Sequence, residues 1–416
     1  IKKSVEFMKV LLVGHACGPD RGSEPGLTWN WALSLSRSHQ VHVLTHPQYR
    51  PEIEAYLSKH RNENLRFHWV SLPSWIDPWR PTRGERGIRL HYLLWQRLAY
   101  REAERMRELH NFDIAHLVSW GTLGAPPLYW RLPIPFVWGP VGGAVTAPGN
   151  FRHYLGADAI RETLRTLRIR LLPWVPSLRK AVKKSALLVA ANRETFNLMK
   201  RVGGRDIRHC YDNAVSAHML PDQMPRRSSN GEIRLLWAGR LEGHKALGLG
   251  IEAMALLKKA PVRLLVAGEG WQRKDLESLT CELGVSNRVD FLGTIAWTAM
   301  RSLFQSSDAF LFTSLRDACP SVVIEAMSQA LPIITLDHQG VAGIVPDEAG
   351  IKVPVTTPAA TVAALAEGIR RLAEAPETRL KMGAASWNFA RAQTWERRAA
   401  EMTEWYEECV RNWKAR

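Results

Sequence analysis

Asp317 and Glu325 stand eight residues apart in SLRDACPSVVIEAMSQALPII (314–334), with Pro320 and Ser321 between them. Carboxylates on either side of a helix start can grip hydroxyl groups, while the first helical N–H groups, lacking intrahelical partners, can bind an anion. That pairing suits a molecule carrying both diols and phosphates, such as a nucleotide sugar. The same half of the chain supplies cations in AGRLEGHKAL, where Lys245 follows Arg240 by five residues. A buried diphosphate needs such partners most when it becomes a leaving group.

Positioning these residues requires strands that end beside one another. Strand-like runs alternate with helix-length segments throughout: KVLLVGH, QVHVLTH, LRFHWVSL, DIAHLVS, PFVWGP and LLVAAN, then IRLLWAGR, VRLLVAGEG, RVDFLGT, AFLFTS and PIITLD. Near-continuous apolar runs separated by helices imply parallel strands buried on both faces, so the sequence reads as two doubly wound α/β domains. At 416 residues the chain is too long for one core, and two domains are expected. The joint falls in YDNAVSAHMLPDQMPRRSSNGE (211–232), giving an N-terminal domain 1–212, a C-terminal domain 213–395 and a final amphipathic helix 396–416 that offers Trp405 and Tyr406 for packing on the first domain. Ser321 reads as the N-cap of a helix running to about Ala330, with Glu325 one turn inside it. Ligands bind beyond the carboxyl ends of such strands, so the chemistry is expected in a cleft between the domains.

The net charge of +16 is concentrated: residues 1–212 hold 32 Lys+Arg against 17 Asp+Glu, and the rest 24 against 23. The first half is therefore expected to meet something anionic. Two basic segments rich in Leu and Trp, GIRLHYLLWQRLAYREAERMREL and IRETLRTLRIRLLPWVPSLRKAVKKS, fit either an anionic membrane surface or a core-facing helix with a solvated basic face. A nucleic-acid-binding module would also use positive charge, yet no signature of one is present and the paired acids would be left without a role. Five scattered cysteines without a C-x-x-C pair speak against a disulfide framework or structural zinc. No run is long and apolar enough to span a bilayer and the start lacks a signal pattern, so a cytoplasmic protein is expected, with 1–7 a short extension before Met8. AGEGWQRKDL has Gly268 and Gly270 but Arg273 where a dinucleotide-binding motif needs its third glycine, which excludes that class.

Taken in order, AGRLEGHKAL, LLVAGEGWQRKDLESL, VDFLGTI and SLRDACPSVVIEAMSQALPII resemble the retaining glycosyltransferases of family 4, which have the GT-B fold. The N-terminal half is similar to a subset of that family through GSEPGLTWNWALSLS and the Gly-Pro-Val-Gly-Gly turn in FVWGPVGGAVTAP. The resemblance implies that Arg240 and Lys245 bind the donor pyrophosphate, that Asp317 contacts the transferred sugar and Glu325 the ribose, and that Pro320, Ser321 and Val322 lie near sugar and phosphate. It places Leu292 of DFLGT near the base and adds Gly268 and Glu269 to the donor site. Gly22, Gly142 and Gly143 would let backbone approach phosphate or sugar.

Three positions depart from the family pattern. The first acid is Asp317, one methylene shorter than the usual Glu; DIAHLVS keeps His116 but has Val118 where a second histidine would stand; and the customary Lys-Gly and Asn-Gly pairs are Lys245-Ala246 and Asn213-Ala214. His116 is carried as a candidate catalytic residue. With no D-x-D motif, no metal and no other cofactor is expected. The resemblance implies a retaining hexosyl transfer from a UDP- or GDP-sugar, UDP favoured, to a lipid-linked or saccharide acceptor at the inner membrane face. A catalytically degenerate scaffold or sugar-binding subunit is the alternative.

Overall fold

The computed structural model describes residues 7–80, 84, 86–216, 219–225, 231–257 and 260–415. Residues 1–6 of the expected extension, and 217–218 and 226–230 of the expected joint, lie outside these.

The chain divides into two compact units. The first has a seven-stranded parallel sheet made of β1 (Lys9–Gly14), β2 (Gln40–Thr45), β3 (Leu65–Trp69), β4 (Ile114–Ser119), β5 (Phe136–Val141), β6 (Leu187–Ala190) and β7 (Ile207–His209). Their order is β3-β2-β1-β4-β5-β6-β7. Every residue of β4 and β5 is buried, as expected of parallel strands covered by helices on both faces. The second unit has six parallel strands: β8 (Ile233–Ala238), β9 (Val262–Ala267), β10 (Val289–Gly293), β11 (Ala309–Phe312), β12 (Ile333–Asp337) and β13 (Gly350–Pro354). Their order is β10-β9-β8-β11-β12-β13. The order in which strands join the sheet reverses between β1 and β4 in one sheet and between β8 and β11 in the other, which makes each unit doubly wound with one switch point. All eleven expected strands form; β7 and β13 are additions.

The units do not follow the chain as simply as the expected boundaries do. The first comprises residues up to Ala144, Leu171–Asp212 and Trp395–Arg416; the second comprises Val145–Arg170 and Asn213–Thr394. One break falls at Asp212, and Val145–Arg170, assigned to the first domain from sequence, packs with the second unit. Its Phe151, Tyr154 and Leu155 are buried in that unit's core. Tyr154 donates its hydroxyl proton to Glu252 at 2.8 Å, and Gln339 Nε2 donates to the Thr146 carbonyl at 2.7 Å. Gly243 permits the close approach, since a Cβ there would lie 2.2 Å from the Leu155 carbonyl oxygen.

The closing helix α14 (Trp395–Lys414) packs on α1 (Ser23–Leu35), both numbered in chain order among the described residues. Trp395 meets Trp31 edge to face at 5.6 Å, and Met402, Trp405 and Tyr406 are buried. The expected aromatic packing surface is therefore used within the first unit.

Candidate functional site

In the second unit the loops that leave β8 and β11 border the switch point, and hydrogen bonds stitch one to the other. The carbonyl of His244 accepts from Leu315 N at 2.8 Å and from Ser314 Oγ at 3.2 Å, and the carbonyl of Lys245 accepts from Thr313 Oγ1 at 2.8 Å. Trp237 Nε1 donates to the same Thr313 hydroxyl at 3.0 Å. The Thr-Ser pair that follows β11 thus fixes the 3-10 turn Gly243–Lys245, and with it the start of α7 (Leu247–Leu256).

This stitching delivers Lys245 to Asp317. Nζ lies 2.5 Å from Oδ2, with 17% and 19% of the two side chains exposed. The ammonium also sits 5.4 Å from the Phe312 ring centre. Ala246, which stands where the family pattern has glycine, has φ +46° and ψ +46°, so the turn keeps a left-handed conformation despite its Cβ. Asn213 steadies the far end of the loop by donating to the Cys319 carbonyl at 3.1 Å.

Positive charge accumulates around this pair. His244 is buried, and its pKa is pushed down to about 2, first by burial and then by the cations Arg316, Lys245, Arg240 and Arg165. Arg240 is exposed and pairs with Glu242 at 2.8 Å; Arg316 is anchored by the buried Glu162 at 2.8 Å. Two of these cations were not singled out from sequence. Arg316 adjoins Asp317 and was readable there, but Arg165 comes from α4 (Ala159–Leu171), about 75 residues before Arg240, and only tertiary packing brings it in.

The helix α10 (Ser321–Ser328) starts at the carboxyl side of β11. Its N-cap is Pro320, not Ser321 as expected, and Pro320 supplies no side-chain cap. The hydroxyl of Ser321, one turn before Glu325, instead hydrogen-bonds the Glu325 carboxylate. Burial nevertheless outweighs this and raises the Glu325 pKa. An uncapped helix start flanked by two carboxylates and several cations can hold an anionic group and, beside it, a polyol.

Other sequence-derived candidates meet on the same sheet edge in supporting positions. Gly268 follows β9 with φ +144°, and a Cβ there would lie 1.8 Å from the Gly239 carbonyl oxygen, so this glycine lets the loops after β8 and β9 touch. Glu269 is exposed and engaged by Arg273, the first residue of α8 (Arg273–Glu282). Leu292, in β10, leaves 39% of its surface exposed. Val322 is in the first turn of α10.

The remaining candidates belong to the first unit. Gly22 is the N-cap of α1, with no side-chain cap. Gly142 donates its N–H to the Gly121 carbonyl at 3.0 Å, and a Cβ on Gly143 would lie 2.9 Å from Leu123 N, so this Gly-Gly turn packs against the loop after β4. Glu24 of the GSEPG run reaches the same loop at the Gly121 backbone, with its pKa raised by burial.

His116 requires a correction. It is wholly buried, its Nε2 lies 2.5 Å from the Gly139 carbonyl, and its Nδ1 lies 2.5 Å from the Tyr406 hydroxyl. A carbonyl can only accept, so Nε2 carries the proton and Nδ1 accepts from Tyr406. Burial pushes its pKa down to about 4. This is a neutral core histidine tying β4 and β5 to α14, with no nitrogen left for a substrate. Sequence reading passed over a different histidine group at the carboxyl edge of the first sheet. His15 and His46, the residues that follow β1 and β2, gather with His91 among Trp79, Trp95 and Trp120. His91 bridges Asp77 at 2.6 Å and His15 at 3.0 Å. The signal was present in two successive strands that each end in histidine.

A family model described as glycosyl transferases group 1 matches residues 222–388, the stretch that carries the loops described above. The alpha-D-kanosaminyltransferase of Streptomyces kanamyceticus is 29% identical over 152 residues, 36% of this chain and 38% of that protein. The curated relatives compared are matched over 24% to 42% of their own length. Among solved structures, sucrose-phosphate synthase from Thermosynechococcus elongatus aligns with TM-score 0.67 at 15% identity, covering 96% of this chain and 98% of the other. Anabaena HepE in complex with UDP aligns with TM-score 0.62 at 15% identity, covering 95% and 100%. At this identity the structural likeness speaks for fold, and the fold is GT-B, with two parallel-sheet Rossmann-like domains. The family match falls within the second unit.

Proposed function

We propose that this protein is a glycosyltransferase that moves a hexose from a nucleoside-diphosphate sugar, a UDP-sugar foremost, to a lipid-linked or saccharide acceptor with retention of anomeric configuration. The observation that carries the reading is the Lys245–Asp317 pair at the switch point of the second sheet, with Arg240, Arg316 and Arg165 gathered about the adjacent His244 and an uncapped helix start following. A ligand at a switch point meets the loops after two neighbouring strands, and here those loops offer cations for a diphosphate and a carboxylate for sugar hydroxyls.

In this reading Lys245 and Arg240 take the pyrophosphate, Asp317 orients the sugar, and Glu325 holds the ribose. As the bond from anomeric carbon to phosphate oxygen breaks, the acceptor oxygen bonds the same face of that carbon. The departing phosphate oxygen receives the acceptor's proton. Charge builds on the leaving diphosphate, so the protein contributes mainly positioning and cationic stabilisation, where one well-placed donor is worth roughly 10²–10³ in rate. No metal is needed in this scheme, in keeping with a sequence that lacks a D-x-D pair.

Acceptor delivery from a membrane surface is supported by α4. Ile160, Leu164, Leu167 and Leu171 follow helical spacing and expose 66%, 61%, 53% and 52% of their surfaces. Arg161, Arg168 and Arg170 flank them, as in a helix lying in an anionic interface. Among the described residues, no helix is long and apolar enough to cross a membrane.

The test is sugar transfer from a panel of labelled UDP- and GDP-sugars to lipid extracted from bacterial inner membranes, with and without EDTA, followed by determination of the anomeric configuration of the product. Chelator-insensitive transfer with retention supports the proposal. Inversion, or loss of transfer in EDTA restored by a divalent ion, contradicts the mechanism. Absence of transfer from any donor contradicts the activity.

A further inference from the structure

Three histidines with no part in the donor site converge in the first unit. His42 is the third residue of β2, His68 the fourth of β3, and His110 the last of α3 (Ile88–His110). Register explains the first two: His42 pairs with Arg66 across the parallel ladder, so His68, two residues further along β3, emerges on the same face of the sheet. His110 ends a helix four residues before β4 begins, and its ring packs against His42.

The rings are close. Centroid separations are 4.5 Å for His42–His110, 5.1 Å for His42–His68 and 5.9 Å for His68–His110. One potential ligand nitrogen from each of the three lies within 4.8 Å of the others. His42 Nδ1 and His68 Nε2 are 3.0 Å apart and share a hydrogen bond. That bond leaves a residue unexplained: His42 is 1% exposed, and its Nε2 is buried with no hydrogen-bond partner. Buried polar atoms are nearly always partnered, so this orphan calls for an occupant.

We propose that His42, His68 and His110 form a binding site for a divalent transition-metal ion, zinc foremost. Imidazole nitrogens suit zinc, copper and nickel, and zinc takes three histidines and leaves a fourth position open. Bonds of about 2.0–2.1 Å to each ring bring neighbouring ligand nitrogens to a little over 3 Å, a small contraction of the 4.8 Å within which one nitrogen of each ring already lies. Among the described residues no carboxylate or thiol completes the group, so water takes the fourth place. Because β3 is an edge strand, the ion would clamp the end of α3 to that edge and brace the helix from its far end. The inference stands independently of the glycosyltransferase reading.

The experiment uses full-length protein without a polyhistidine tag, stripped with chelator and titrated with Co²⁺ as the spectroscopic probe. One equivalent should bind with the visible absorption of a low-coordinate, nitrogen-ligated site, and Zn²⁺ should displace it and raise the melting temperature. His68→Ala and His110→Ala, both at partly exposed positions, should each lose the absorption and the zinc-dependent stabilisation. Their circular dichroism spectra and unliganded melting profiles check that they fold. Failure of the wild-type protein to bind Co²⁺ stoichiometrically, or full binding in both folded variants, overturns the proposal. A UDP thermal shift measured on the same samples reads the donor site separately, so failure of either idea is distinguishable from failure of the other.

Discussion

Replacing Asp317 with Asn should move nucleotide binding and catalysis in opposite directions. The Asp317 carboxylate holds the Lys245 ammonium at 2.5 Å, with both side chains less than a fifth exposed. A nucleoside diphosphate must take that ammonium for itself, and it must do so while approaching a carboxylate of its own sign. An exposed ion pair is worth about 0–1 kcal/mol, and this one is better shielded, so about 1 kcal/mol is a fair cost for opening it. Asp317→Asn removes that cost, and UDP should bind about fivefold tighter by titration calorimetry. The sugar loses its charged hydrogen-bond acceptor in the same variant, so turnover of the UDP-sugar should fall by roughly 10²–10³. Equal or weaker UDP binding in Asp317→Asn would refute the idea that Lys245 exchanges a protein carboxylate for the pyrophosphate. Undiminished turnover would remove Asp317 from the sugar site.

Further outcomes follow from burial. Glu325 has its pKa raised by burial, so its ionisation costs stability once the pH exceeds the ordinary carboxylate value and costs nothing below it. Glu325→Gln should therefore raise the melting temperature at pH 7.5, lose that advantage near pH 4, and weaken UDP binding. His116 and His39 are wholly buried and each has its pKa lowered to about 4, chiefly by burial. Their stabilisation is intact above about pH 6.5 and lost as pH falls toward 4, reaching roughly 2 kcal/mol each at pH 5. Calorimetry at pH 5 should show proton uptake on unfolding, and its absence would contradict the buried neutral state. The double variant Leu164→Asp/Leu167→Asp should reduce sedimentation with anionic liposomes at least tenfold while leaving the UDP response unchanged. Unaltered sedimentation would place the membrane contact elsewhere.

Strand cores and the donor loops were legible because each is local. Runs such as IRLLWA and AFLF announce buried parallel strands without tertiary context, and Arg240, Lys245, Asp317 and Glu325 sit in short motifs anchored to strand ends. Two strands were not legible: β7 has three residues, and β13, GIKVP, mixes Gly, Lys and Pro at the edge of its sheet, where burial asks less of the sequence. The reassignment of Val145–Arg170 could not be read from the chain, because Phe151 and Tyr154 are as apolar in one core as in another. His116 shows the opposite failure. A histidine in a motif position suggested chemistry, but its meaning depended on Tyr406, 290 residues away. Arg165 was hidden by the same distance, and the His42, His68 and His110 group by the register of two strands and the length of one helix.

The central claim is that the loops after β8 and β11 hold a nucleoside diphosphate through Lys245 and its neighbours. The most direct measurement is thermal stabilisation of the wild-type protein and of Lys245→Ala by UDP, GDP and ADP, with and without EDTA. At 100 times its dissociation constant a ligand stabilises by about 2.7 kcal/mol, which is readily detected. The account predicts a shift with one nucleotide, indifferent to EDTA and lost in Lys245→Ala. A wild-type protein that none of the three stabilises, or an equal shift in Lys245→Ala, would contradict it.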